Sequence, residues 1–118
     1  MPALNFAARF APLVESGQKR QTLRARRRDG RDPKAGQTLH LYAGMRTQGC
    51  RKLRQVLCKA VRPVRVSRGG DILVAGELLA LSAGEAFARA DGFTDVAELV
   101  DWFDRVHGLP FEGCLIQW

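Results

Sequence analysis

The sequence predicts an α+β domain in which a small barrel-like sheet carries flanking helices. Three observations lead there. Short apolar segments with period-two alternation recur through residues 4–75 between turn-rich stretches, two helical patterns follow, and one more extended apolar segment closes the chain. The 118 residues, 46% of them apolar, suit one domain with one core, and no Pro/Gly/Ser linker or internal repeat divides them.

Leu4-Asn5-Phe6 opens the chain as a short strand. Phe10 to Val14 places apolar residues at helical spacing, and Gly17 supplies the residue on which such a helix stops. Thr22 to Arg26 is extended, Asp29 to Gly36 is turn chemistry, and Thr38 to Ala43 alternates so that Leu39, Leu41 and Ala43 share an inner face. Gln55 to Val66 is rich in Val and Leu, and Ile72 to Ala75 resumes an extended pattern after the Arg68 to Asp71 turn. Ser82 and Glu85 form a capping-box pattern ahead of a two-turn helix reaching Asp91, with Gly92 as its stop. Val96, Leu99, Val100, Phe103 and Val106 make the apolar stripe of an amphipathic helix over residues 95–106. Cys114 to Trp118 forms the last strand, with Cys114, Ile116 and Trp118 on one face.

Charge is unevenly spread. Residues 1–68 hold seventeen Lys/Arg against three acids, a balance of +14, while residues 69–118 hold two against nine, a balance of −7. A fold that gathers the first half on one face attracts polyanions, and the preference for arginine suits phosphates and bases. A solvated basic surface in an arginine-rich composition is the plainer alternative. No apolar run approaches the roughly 20 residues of a membrane span, and Met1 to Phe10 lacks the pattern of a secretory leader, so a cytoplasmic protein with no membrane partner is expected. Cys50, Cys58 and Cys114 are expected as reduced thiols; they lack zinc spacing, and neither a metal nor a cofactor is expected. His40 and His107 read as a strand-surface residue and a helix-end residue.

Gly17-Gln18-Lys19-Arg20-Gln21-Thr22-Leu23-Arg24 fits the pattern G-x-K-x-x-x-x-R, between the first helix and the next strand. On this motif the chain resembles the ASCH family, which has a PUA-like barrel. The likeness extends to Pro33-Lys34-Ala35-Gly36-Gln37 before a strand, Ala90-Asp91-Gly92-Phe93 closing a late helix, and Gly108-Leu109-Pro110-Phe111-Glu112-Gly113 leading into a final strand ending Ile116-Gln117-Trp118. The resemblance spans essentially the whole chain. It implies a small PUA-like β-barrel with flanking helices, a basic cleft along the motif, and RNA or a modified nucleoside as ligand.

One branch of the family resembles small metal-independent amidohydrolases that remove the acetyl group from N4-acetylcytidine. The motif lysine, the threonine three residues on and a late acid carry that chemistry, and the matching positions here are Lys19, Thr22 and Asp91. The acid is aspartate where that branch has glutamate. A hydroxyl needs a neighbouring base to become a nucleophile, a desolvated lysine beside the cations Arg20 and Arg24 can be that base, and a carboxyl group can protonate a leaving amine. Because residues three apart on a strand face opposite ways, Lys19 must lie in the turn before the strand for this to work. Blander alternatives are Thr22 as a strand former, Lys19 as a phosphate clamp and Asp91 as a solvated helix end, although a carboxylate at a helix C-terminus opposes the dipole there.

The first expectation is an RNA-binding domain. Gly17, Lys19, Arg20, Arg24, Arg26 and Arg46 would hold the backbone and Tyr42 or Trp118 would stack a base, with residues 42–53 forming a basic loop over the cleft. The amidohydrolase is the alternative, and a ribonuclease of single strands a further one.

Overall fold

A computed structural model describes residues 2–118; Met1, the first residue of the stretch read for a leader, lies outside them. The elements are β1 (Ala3–Phe6), α1 (Ala11–Ser16), β2 (Gln21–Arg24), β3 (Thr38–Ala43), β4 (Arg51–Leu57), β5 (Ala60–Val66), β6 (Ile72–Val74), β7 (Glu77–Leu78), α2 (Leu81–Ala90), α3 (Val96–Val106) and β8 (Phe111–Gln117). The protein is α+β. Its strands make two sheets, β1-β3-β4 and β2-β8-β5-β6-β7, and among the described residues no ladder joins them into a closed ring.

In the smaller sheet β1 runs parallel to β3, and Leu39 and Leu41 point wholly into the core as their alternation requires. In the larger sheet β8 is flanked antiparallel by β2 and β5, so Cys114, Leu115 and Ile116 are all buried, and period-two alternation is lost. One apolar cluster joins both sheets and the helices; Phe6 of β1 meets Trp118, just past β8, edge to face at 5.9 Å.

Three expectations need correction. Residues 42–53 are not one loop: Tyr42 and Ala43 end β3, Arg51 to Leu53 begin β4, and only Gly44 to Cys50 form the turn between them. The Ser82/Glu85 pattern caps nothing locally. Helix α2 starts earlier, at Leu81, with no side-chain cap, and the Glu85 carboxylate accepts from the Val96 N–H at 3.2 Å, at the start of α3. Asp95 is the true cap there, accepting from the Glu98 N–H at 2.8 Å. Finally, Val106 is 54% exposed, so the buried stripe of α3 ends at Phe103.

Helix α1 carries proline in its first turn, and its C-cap Gly17 adopts φ +86°, with its N–H on the Val14 carbonyl. That reversal launches β2. The cationic first part of the chain meets the acidic second part in Arg9–Glu98, Arg65–Glu112 and Arg68–Asp104 ion pairs at 3.0, 3.6 and 3.9 Å, which spends part of the segregated charge internally. Among the described residues no helix is long and apolar enough to cross a membrane.

Candidate functional site

The turn from Gly17 to Arg20 turns Lys19 inward, with its N–H on the Leu13 carbonyl at 3.0 Å. Since β2 begins at Gln21, Lys19 precedes the strand and escapes its alternation. Its ammonium lies 4.9 Å from the centre of the Phe10 ring and 6.0 Å from that of Phe6. Asp91, the C-cap of α2, is 3% exposed and not solvated. Gly92, at φ +101°, turns the chain beneath it, and a Cβ there would come within 2.9 Å of Phe10.

Lys19 Nζ stands 3.3 Å from Asp91 Oδ1 and also donates to the Asp91 main-chain carbonyl. The ammonium thus sits where α2 leaves carbonyls unpaired and its dipole favours a cation. Both groups pay for leaving water. Burial, above all, lowers the Lys19 pKa, against the attraction of Asp91, and the cations Arg24 and Arg9 lower it further. Arg20, expected to share in that lowering, does not take part; its Nε donates outward to the Gly17 carbonyl at 2.9 Å. Burial raises the Asp91 carboxyl to about 6, against the pull of Lys19, Gln21 and Arg24. Gln21 lies near enough to favour the carboxylate, yet its amide nitrogen makes no hydrogen bond of ordinary geometry.

Thr22 and Arg24 share one face of β2. Arg24 Nε donates to Thr22 Oγ1 at 3.2 Å and Nη2 donates to the Asn5 carbonyl at 2.6 Å, while its guanidinium lies 4.8 Å over Phe6. Burial brings even Arg24 down to about 10. Lys19, Thr22, Arg24 and Asp91 line a single cavity of about 160 Å³. That is room for about five waters or one planar ring.

Aromatic rings supply most of the remaining wall. Phe10, Phe93, Trp102 and Phe103 interlock edge to face or tilted at 5.0–6.4 Å. His107, the C-cap of α3, also lines the cavity, stacked on Phe103 at 5.6 Å; burial, then Arg24, lowers its pKa. His107 is at a helix end as expected, and nothing in the local spacing of Trp102, Phe93 or Asn5 signals a place at the site; all four reach it through tertiary contact.

The remaining expected residues lie elsewhere. Gly17 is the hinge behind Lys19, with space for a Cβ limited by Arg54 at 3.1 Å. Arg20 faces a separate groove with Lys59, Arg62 and Trp118. Arg26 is exposed beside Arg65 and Glu112. Tyr42 is on β3 and Arg46, at φ +67°, is in the β3–β4 turn; neither lines the cavity, although the Asn5 side chain in its wall accepts from the Met45 N–H of that turn at 3.0 Å. Cys58 and Cys114 are buried and Cys50 exposed, all as free thiols. Comparison with family models, curated proteins and solved structures returned no match to this chain.

Proposed function

We propose that this chain is an ASCH-type domain that acts as an amidohydrolase on an acylated cytosine nucleoside of the N4-acetylcytidine kind. One observation carries the reading: Lys19, Thr22 and Asp91, drawn from a turn, a strand and a helix end, line one ring-sized cavity with Lys19 and Asp91 in contact. A surface that only held a phosphate backbone would gain nothing from burying its lysine against a carboxylate. In this reading the two sheets are the strands of an opened PUA-like barrel, and the free thiols fit a cytoplasmic setting.

The opposite pKa shifts suit the chemistry. Lys19 releases its proton more readily than an ordinary lysine, and Asp91 keeps one up to about pH 6. Arg24 occupies Thr22 Oγ1 as an acceptor, leaving the hydroxyl proton for Lys19. Neutral Lys19 takes that proton as Oγ1 adds to the acetyl carbonyl carbon, and the carbonyl electron pair moves onto oxygen. Collapse breaks the C–N4 bond, the Asp91 carboxyl gives its proton to the departing amine, and cytidine leaves behind an acetyl ester on Thr22. Water then attacks that ester and yields a proton to the Asp91 carboxylate. The Lys19 ammonium reprotonates Oγ1 as acetic acid departs, and every group returns to its starting form.

The test is cytidine release from N4-acetylcytidine, followed by chromatography. Thr22→Ala should cut kcat by about 10³-fold or more and Thr22→Ser by far less, and Lys19→Ala should abolish turnover in a chain that still unfolds cooperatively. Intact-mass detection of a single acetyl group on the wild-type chain would identify the ester. An undiminished rate in Thr22→Ala would end the proposal.

A further inference from the structure

Two buried polar atoms that lack a hydrogen bond are complementary: Gln21 Nε2 is a donor and Asp91 Oδ1 an acceptor. Their residues are 6% and 3% exposed, and a donor or acceptor left unpaired at such depth is costly. Gln21 and Thr22 are neighbours on β2 and face opposite ways. Thr22 lines the cavity, whereas Gln21 lines a depression on the other side together with Ala90, the residue before Asp91. Lys19, two residues ahead of Gln21, already bridges to Asp91 through Nζ. The Gln21 backbone is held by pairing with Gln117 of β8, so what can adjust is its side chain. Burial disfavours the Asp91 carboxylate, while Lys19, the uncharged Gln21 amide and Arg24 favour it. Among the described residues no acidic side chain lines the Gln21 depression.

We infer that Gln21 is a positioning residue for Asp91, its amide N–H closing onto the carboxylate as Asp91 gives its proton to the departing amine. The inference rests on the amidohydrolase reading for its reaction and on the buried donor and acceptor for its geometry. A neutral carboxyl oxygen is a weak acceptor and a carboxylate oxygen a strong one, so the bond strengthens at the proton transfer. The terminal torsion of glutamine is broad, so the amide can turn into line without changing rotamer. While the acetyl ester stands on Thr22 the bond steadies the carboxylate for the incoming water, and it slackens when water returns the proton. An uncharged amide suits this task. A third cation would favour the carboxylate before the reaction and leave no acid, and an apolar side chain would leave the developing charge without a donor.

The test follows the Asp91 carboxyl carbon by NMR in the full chain carrying isotope-labelled aspartate, its resonance assigned by its loss in Asp91→Asn. In Gln21→Leu the Asp91 midpoint should move upward by about one pH unit, the worth of a hydrogen bond to a charged group. In the wild type one Gln21 side-chain amide proton should move downfield as pH rises through about 6. Cytidine release from N4-acetylcytidine is measured alongside. Its kcat should fall about tenfold in Gln21→Leu while KM stays within about twofold, because Gln21 does not line the cavity. Gln21→Met should behave alike, which separates out a packing defect peculiar to leucine. Gln18→Leu, which removes an exposed amide of the same depression, should leave midpoint and kcat in place. A midpoint that stays put in Gln21→Leu, or moves as far in Gln18→Leu, would overturn the inference whatever the wild type does with N4-acetylcytidine. So would an unchanged kcat beside a moved midpoint. A moved midpoint in a protein whose wild type releases no cytidine would support the contact between Gln21 and Asp91 and end the amidohydrolase reading instead.

Discussion

Lys19 and Asp91 stand 72 residues apart in the chain, yet Nζ of one lies 3.3 Å from Oδ1 of the other, with both side chains no more than 4% exposed. Neither could be buried alone at tolerable cost, and their contact repays only part of what each loses on leaving water. Asp91 is raised despite a cation at its side, which means that desolvation outweighs attraction. The pair is therefore a cost to the fold, and it is placed in the wall of a cavity.

Replacing both charges by apolar groups of similar length should consequently leave the fold intact or improve it. Lys19→Met/Asp91→Leu is expected to be neutral or stabilising by about 1–4 kcal/mol at pH 7 in urea unfolding, while losing all cytidine release. A loss of more than about 3 kcal/mol would show instead that the pair holds the turn after Gly17 to the end of α2.

The pH dependence of stability follows from Asp91. Its carboxyl binds a proton more readily folded, at about 6, than at its ordinary 3.8, so its contribution to stability is full below 3.8 and is lost as pH rises through about 6. The shift corresponds to about 3 kcal/mol. Between pH 4 and pH 7 the wild type should therefore lose about that much relative to Asp91→Asn, which cannot titrate. Parallel stability curves for the two chains would contradict the burial of this carboxyl.

The parts of this architecture that were legible in the sequence are those governed by local rules. The Gly17 stop, the alternation at Leu39 and Leu41, and the stripe through Leu99 and Phe103 each depend on neighbours within a turn or two. The first half of strand β4 escaped notice because Arg51, Lys52 and Arg54 resemble a mobile basic loop until β3 pairs with them. Charge patterning placed Arg20, Arg24, Arg26 and Arg46 in one cleft. Alternation and the β3–β4 turn send them to different surfaces, and only Arg24 reaches the cavity. The aromatic wall was not legible either: nothing in the spacing of Phe10, Phe93 and Trp102 shows that they meet, or that the core is open on one side of them.

Strand β2 depends on Gly113. A Cβ at that position of β8 would lie 2.2 Å from the Arg24 carbonyl oxygen and 2.9 Å from the Phe111 ring. The first obstacle is backbone and cannot rotate away, so the strands must part. Gly113→Ala should cost at least about 3 kcal/mol, the upper end for an overpacked core, and should lower cytidine release by displacing Arg24 and Thr22. Urea unfolding checks the first and chromatography the second; a change within about 1 kcal/mol would mean that β8 and β2 have freedom to separate.

Arg24 acts on the cavity in two separable ways, through its charge and through its fork. Its charge lowers both Lys19 and Asp91, so removing it raises both. Its Nε–H fixes Thr22 Oγ1, and its Nη2 ties β2 to the Asn5 carbonyl. The rate profile for N4-acetylcytidine should be bell-shaped, its limbs belonging to the Lys19–Asp91 pair as a unit. In Arg24→Gln both limbs should move to higher pH, and kcat should fall about 10²-fold as the nucleophile loses its anchor. Arg24→Lys keeps the charge but not the fork, so its profile should stay in place while its rate falls by a similar factor. If the lysine variant moves the limbs as far as the glutamine variant does, charge is not what tunes the pair. If glutamine leaves both limbs where they are, Lys19 and Asp91 do not govern the rate.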